Sequence, residues 1–187
     1  MPFENEEINT HLPSASLEEK RREARKHCKK VERRLYIFSL VVWFVDLLTV
    51  LFAPIFGAEK ISMTVFFLTF AVLILQGVQT GTFEGLSKDT ELVPRRFFDR
   101  FLSAVGTLSL LVAIIGMGIT MVNGGGPKIV DGTYYIVSHG DLVKEITEWQ
   151  YRVFSYTEQL FMSSGMLYFS TFMFGNVRYL YRLHYAD

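Results

Sequence analysis

The sequence predicts an all-α membrane protein: a four-transmembrane-helix bundle with a short extracytoplasmic β-hairpin between helices 3 and 4. Three observations lead there. Half of the 187 residues are apolar, 17 of them phenylalanine, while the formal net charge is zero. The charge is gathered into blocks and almost absent from the long stretches between them, a membrane-protein pattern. The stretch "TYYIVSHGDLVKEIT", 133–147, alternates like a pair of strands between two of the most apolar runs.

A helix needs roughly 20 apolar residues to cross the hydrocarbon. Four runs meet this need, 35–56, 61–80, 101–122 and 153–174. The fourth carries Glu158 and several hydroxyls, but its uninterrupted second half marks it as spanning. Lysine and arginine gather in short cytoplasmic loops. Fifteen of them lie in 1–34, 81–100 and 176–187, against Lys60, Lys128, Lys144 and Arg152 in the opposite segments. Both termini are therefore expected inside, which an even number of spans satisfies. Localisation follows as integral membrane, in a plasma or bacterial inner membrane.

The segments between the spans follow in order. Residues 1–16 are polar and expected to be disordered, with no cleaved signal peptide at the start. Residues 17–34 have the composition of a charged helix, with Glu18 and Arg22 four apart, running straight into the first span. Pro54 and Gly57 suit a tight outer turn, and Pro94 in the inner loop precedes a new helix. The organisation is thus a tail and basic helix over 1–34, a transmembrane domain over 35–175 and a tail over 176–187.

The hairpin cap covers 129–147, after a flexible exit through "NGGGPK". His139-Gly140 supplies the turn, where glycine accepts the positive φ required. A lone hairpin is marginal in water, so it should lie against the helices, the headgroups or a copy of itself. Thr147 reads as the N-cap of the fourth helix with Gln150 completing a capping box. Trp149, Tyr151 and Tyr156 stand where an aromatic belt belongs.

Asp46 is the most informative residue. It is near the middle of the first span, where a carboxylate costs roughly 2.5–3.5 kcal/mol on insertion scales, so it should face the bundle interior. Depth counting places Thr69, Ser109, Ser163 and Ser164 at its level, a candidate polar layer. Such a layer either handles protons or cations or serves as interhelical glue of about 1 kcal/mol. Glu158 falls nearer the outer headgroups, within reach of Arg152, and Gln76 and Gln79 read as interfacial. Gly106, Gly116, Gly118 and Gly165 are expected to let the third and fourth helices approach closely. Arg21, Arg22, Arg25, Lys26, Lys29, Lys30, Arg33 and Arg34 form a basic segment suited to anionic inner-leaflet lipid, at about 1 kcal/mol per residue near the surface.

Several classes find no support in the residues. The neutral total gives no reason to expect nucleic acid as a partner. One cysteine, Cys28, excludes an intrachain disulfide. His11, His27, His139 and His184 lack metal-ligand spacing, and no nucleophile elbow occurs, so neither metal, cofactor nor enzymatic activity is expected. The function expected is that of a non-catalytic accessory or scaffold subunit, acting as a homo-oligomer or with another membrane protein. The alternative is a small oligomeric channel or transporter for protons or cations at Asp46.

Overall fold

The computed structural model describes residues 14–56, 59–80, 93 and 96–185. Residues 1–13, the turn at Gly57 and the loop containing Pro94 lie outside them. The described chain forms α1 (Ser14–His27), α2 (Arg33–Phe56), α3 (Glu59–Thr80), α4 (Phe97–Val122), β1 (Gly126–Val130), β2 (Thr133–Ser138), β3 (Asp141–Glu145) and α5 (Glu148–Tyr185).

The long helix α5 is the centre of the molecule. Its 38 residues extend about 57 Å, and α2, α3 and α4 all pack on it. α2 also packs on α3, whereas among the described residues α3 and α4 share no comparable contact. The arrangement is thus an α5 core with three helices around it, rather than a closed ring of four. Trp43, Leu102, Leu167 and Phe174 form one buried cluster. Within it Trp43 stacks on Phe174 at 5.8 Å, and its indole N–H donates to the Thr171 hydroxyl at 2.9 Å. A buried indole needs such a partner.

Two helices are long and apolar enough to cross a membrane: α2, over Arg33–Phe52, and α4, with mean hydropathies of 2.3 and 2.2. Only 17% and 22% of their most apolar windows are buried. A helix apolar all round belongs in a core or in lipid, and these present most of that surface outward. In α3 the described apolar part, Phe67–Val78, is shorter.

The basic segment does not run straight into α2. α1 ends at His27 and the chain leaves the helical path over 28–32. The cause is burial of Val31, 1% exposed, against Val177 and Leu180 of α5. The break also lets Leu17 and Ala24 of α1 pack with Cys28 on Leu183.

The expected hairpin is the second half of a three-stranded antiparallel sheet ordered β1-β2-β3. His139 and Gly140 have φ of 52° and 99°, and Asp131 and Gly132 have 49° and 82°, so both connections use paired left-handed residues. The segment read as a flexible exit instead enters β1, where Pro127 faces Ile136 and Lys128 faces Tyr135. Gly125 must be glycine, because a Cβ there would collide with the Val137 carbonyl. The sheet rests on α5 through β1 and β2, where the Tyr134 ring lies 5.1 Å from that of Tyr151, and Ile136 and Ile146 are buried. At the junction the Thr147 N–H donates to Gln150 Oε1 at 2.9 Å, and the Gln150 N–H donates to the Thr147 hydroxyl at 3.2 Å. That reciprocal pair fixes the start of α5.

A β-branched side chain at Gly132 must adopt the left-handed region, at a cost of about 1–3 kcal/mol. Gly132→Val should accelerate amide hydrogen exchange across 126–138 while leaving the α5 amides unchanged.

Candidate functional site

Asp46, on α2, is 1% exposed. The Thr69 hydroxyl of α3 donates to its Oδ1 at 3.0 Å. Ser170 of α5 lies beside the same carboxyl, with its hydroxyl also 3.2 Å from the Leu167 carbonyl. Oδ2 accepts no hydrogen bond among the described residues. Of the five residues placed at one depth, the structure therefore joins Asp46 to Thr69 alone and supplies Ser170 as the third. Ser109 and Ser163 turn back to the Val105 and Gln159 carbonyls, each at 2.8 Å. Ser163 and the buried Ser164 are six to seven residues from Ser170, about 10 Å along α5.

The polar seam extends beyond this layer. Ser39 and Gln76 are each 2% exposed, seven residues from Asp46 and Thr69 respectively. Seven residues return a helix to nearly the same face. Gln76, near the end of its span, thus turns its side chain into the helix packing. The side chain of Gln79 lies outside the described residues. Glu158 belongs elsewhere: a Cβ on Gly126 would stand 3.4 Å from its Oε1, which puts the carboxylate against β1. Arg152 pairs with Glu148 at 2.6 Å instead of with Glu158.

The strongest polar constellation was not legible as a motif. Asp99, in the first turn of α4, accepts from Arg178 Nε at 2.8 Å and from Arg182 Nη1 at 2.7 Å. It also accepts from the Arg96 backbone N–H at 2.7 Å. Arg178 donates onward to the Tyr36 hydroxyl at 3.1 Å and lies 4.7 Å from the Phe98 ring centroid. One carboxylate thereby ties α4, α5 and α2 together. The available signal was the i,i+4 spacing of Arg178 and Arg182 on one helix face.

This clamp sets the register of α4 on α5. Beyond the Asp99–Arg178 pair, Gly106 meets Thr171 and Gly116 meets Phe161, one number rising as the other falls in step. A Cβ would stand 3.3 Å from the Thr171 methyl at Gly106 and 2.8 Å from the Phe161 Cβ at Gly116. At Gly118 and Gly165 it would meet nothing within 4 Å. Gly106 and Gly116 are therefore the close-approach positions, and the other two are not.

Among the basic residues, Arg22, Lys26, Lys29, Lys30, Arg33 and Arg34 are exposed, while Arg21 and Arg25 are half-buried. Arg25 Nε donates to the Leu183 carbonyl at 2.6 Å, satisfying an acceptor near the end of α5. Burial pushes the Cys28 thiol above its ordinary value, the opposite of what a nucleophile needs. His184 is held below its ordinary value by burial, opposed by the Cys28 carbonyl that accepts from its ring and aided by repulsion from Arg25 and Lys30.

No group of three or more metal-ligating side chains occurs among the described residues. No protein-family model, curated protein or solved structure matches this chain. Its chemistry is therefore read from geometry. A buried carboxyl with one open oxygen can exchange a proton wherever water reaches it. The same carboxyl can equally hold helices together.

Removing the Asp99 charge takes from Arg178 and Arg182 the carboxylate that they share. Asp99→Asn should cost about 1–3 kcal/mol, between the surface and buried limits for ion pairs. The check is thermal unfolding in detergent, where Asp99→Ala and Arg178→Ala should combine non-additively. For His184 the folded form favours the neutral ring. Its stabilisation is complete above the ordinary histidine value and is lost as pH falls below about 6.5. Protease cleavage within 14–27 should rise over that range, and His184→Gln should flatten the dependence.

Proposed function

We propose that this chain is a non-catalytic membrane protein that crosses the bilayer four times, with both termini cytoplasmic, and acts as an accessory or scaffold subunit. Its partner is a second copy or another membrane protein, and the sheet lies on the extracytoplasmic side. The observation that carries this reading is the open edge of β3 at one end of the rigid rod α5. All five β3 residues are exposed, Leu142 and Val143 by 53% and 54%. An unpaired edge is a template for another strand, and the capped junction at Thr147 gives it a fixed position. The other end of α5 holds the α1 segment, so the same rod sets the spacing between an outer contact surface and an inner basic one. The fifteen-to-four distribution of basic residues supports the orientation.

The test is molar mass by light scattering, with the protein in a mild detergent and in nanodiscs. Wild type should assemble, and Leu142→Lys with Val143→Lys should dissociate it without altering the helical circular dichroism. A wild type that is monomeric and recovers no membrane partner from its native bilayer would defeat the reading.

A second reading is favoured by Asp46 Oδ2, buried and without a hydrogen-bond partner among the described residues. On this reading the chain conducts protons or cations past the α2–α3–α5 seam. Proteoliposomes should then show a proton or potassium flux that Asp46→Asn abolishes while assembly is retained. Equal silence of both folded proteins would remove this reading.

A further inference from the structure

The buried polar residues between α2, α3 and α5 stand in levels. Asp46 and Thr69 are joined at one level, with Ser170 beside them. Ser39 lies seven residues before Asp46 on α2 and Gln76 seven after Thr69 on α3, both buried. Because α2 and α3 run in opposite directions, these two share a second level, about 10 Å nearer the Tyr185 end of α5. On the other side, Ser163 is buried seven residues before Ser170.

What separates the levels is apolar. On α5, Met166 lies four residues before Ser170 and Met173 three after it, so both share its face. On α3, Leu73 lies four residues after Thr69 and three before Gln76. Leu73, Met166 and Met173 form one buried cluster. Asp46 is 1% exposed and thus enclosed, with Met166 a turn to one side of its level and Met173 and Leu73 a turn to the other. Apolar constrictions gate by excluding water until they part, and an unbranched methionine side chain adapts its shape readily.

The contents of the enclosed site select what it can take. Oδ1 accepts from the Thr69 hydroxyl, and Oδ2 accepts no hydrogen bond among the described residues. The one other polar group that meets the carboxyl among the described residues is the Ser170 hydroxyl, and no charged side chain of these residues acts on it. The nearby Leu167 carbonyl already accepts from the Ser170 and Thr171 hydroxyls, at 3.2 and 2.6 Å. A metal cation that sheds its water needs a ring of oxygens in its place. Here it would meet the carboxylate and two hydroxyls, with thioether and aliphatic groups around them. A proton needs one oxygen, and Oδ2 is open.

We propose that Asp46 is an enclosed proton site, gated by Met166 on one side and by Leu73 with Met173 on the other, and that the seam passes protons but not metal cations. A hydronium ion arriving from one side gives its proton to Oδ2 and leaves as water, and the carboxylate becomes a neutral carboxyl. When the opposite gate parts, that O–H bond breaks, the proton joins a water there and the carboxylate is restored. The inference rests on the conducting reading above and narrows it to one ion.

The experiment uses the full chain in proteoliposomes, with a potassium gradient and valinomycin setting the potential and a pH-sensitive dye enclosed. Wild type should acidify the lumen at least about fivefold faster than protein-free vesicles. Rubidium and sodium uptake, measured without valinomycin, should equal the protein-free rate. Asp46→Asn should bring proton entry down to that of protein-free vesicles, whereas Asp46→Glu, which keeps a carboxyl, should retain part of it. Met173→Gln, similar in size but polar, should wet its gate and raise the rate about twofold or more. Variants are compared at matched helical circular dichroism.

Rubidium or sodium uptake that Asp46→Asn removes overturns the proton assignment and leaves the conducting reading standing. Proton entry that survives Asp46→Asn overturns the site, and a rate that Met173→Gln leaves unchanged overturns the gate. The comparison of ions on wild type decides the selectivity even where a variant fails to fold. A folded wild type that passes no ion defeats the conducting reading, and this inference with it.

Discussion

The carboxylate of Asp99 is the constraint on which the helix packing depends. It accepts two arginines from α5 and a backbone N–H of its own helix start, and through Arg178 it reaches Tyr36 on α2. Sliding α4 by one turn would move the carboxylate about 5.4 Å from its partners. In a partly buried setting that separation leaves three charges poorly compensated, which is far costlier than exchanging one apolar contact for another. The register is therefore held from this end. Gly106 then arrives opposite Thr171, and Gly116 opposite Phe161.

On the membrane reading proposed above, polar bonds carry unusual weight in such an assembly. Apolar side chains facing lipid gain little by facing one another, so close packing and interhelical hydrogen bonds discriminate among arrangements. Trp43 to Thr171 and Thr69 to Asp46 are two such bonds, from α2 to α5 and from α3 to α2. Ser39 and Gln76 repeat buried polarity one heptad away. This spacing keeps the polar stripe on one seam while the opposite faces of α2, α3 and α4 remain apolar and exposed. The stripe and the clamp leave α4 attached chiefly to α5.

The candidate site was legible in proportion to how much of it is local. Asp46 stands out because a carboxylate in an apolar run has few places to go, and it is indeed buried. Thr69 as its donor was also legible, by counting along two antiparallel helices that follow one another closely in the chain. The third member was not. Counting from the ends of 153–174 points to Ser163 and Ser164, but α5 continues to Tyr185 and its level is set by Arg178 and Arg182. Ser170 takes the place instead. The strand that Glu158 faces was not legible either, because "NGGGPK" reads as a flexible exit.

What the sequence determined by itself is local or cumulative. The apolar length of α2 and α4, the Thr147–Gln150 cap and the His139-Gly140 turn each depend on residues within a few positions of one another. The Asp131-Gly132 turn carried the same kind of signal. Tertiary structure decided the rest: the break after His27, which buries Val31 on α5, the identity of the residues around Asp46, and which glycines admit a neighbouring helix. These depend on contacts such as Asp99 with Arg178 and Arg182, whose partners lie 79 and 83 residues apart. A helix's own periodicity states which face is apolar, but its axial position relative to another helix is a single translational freedom. Only the pairing of distant charges and hydroxyls removes that freedom.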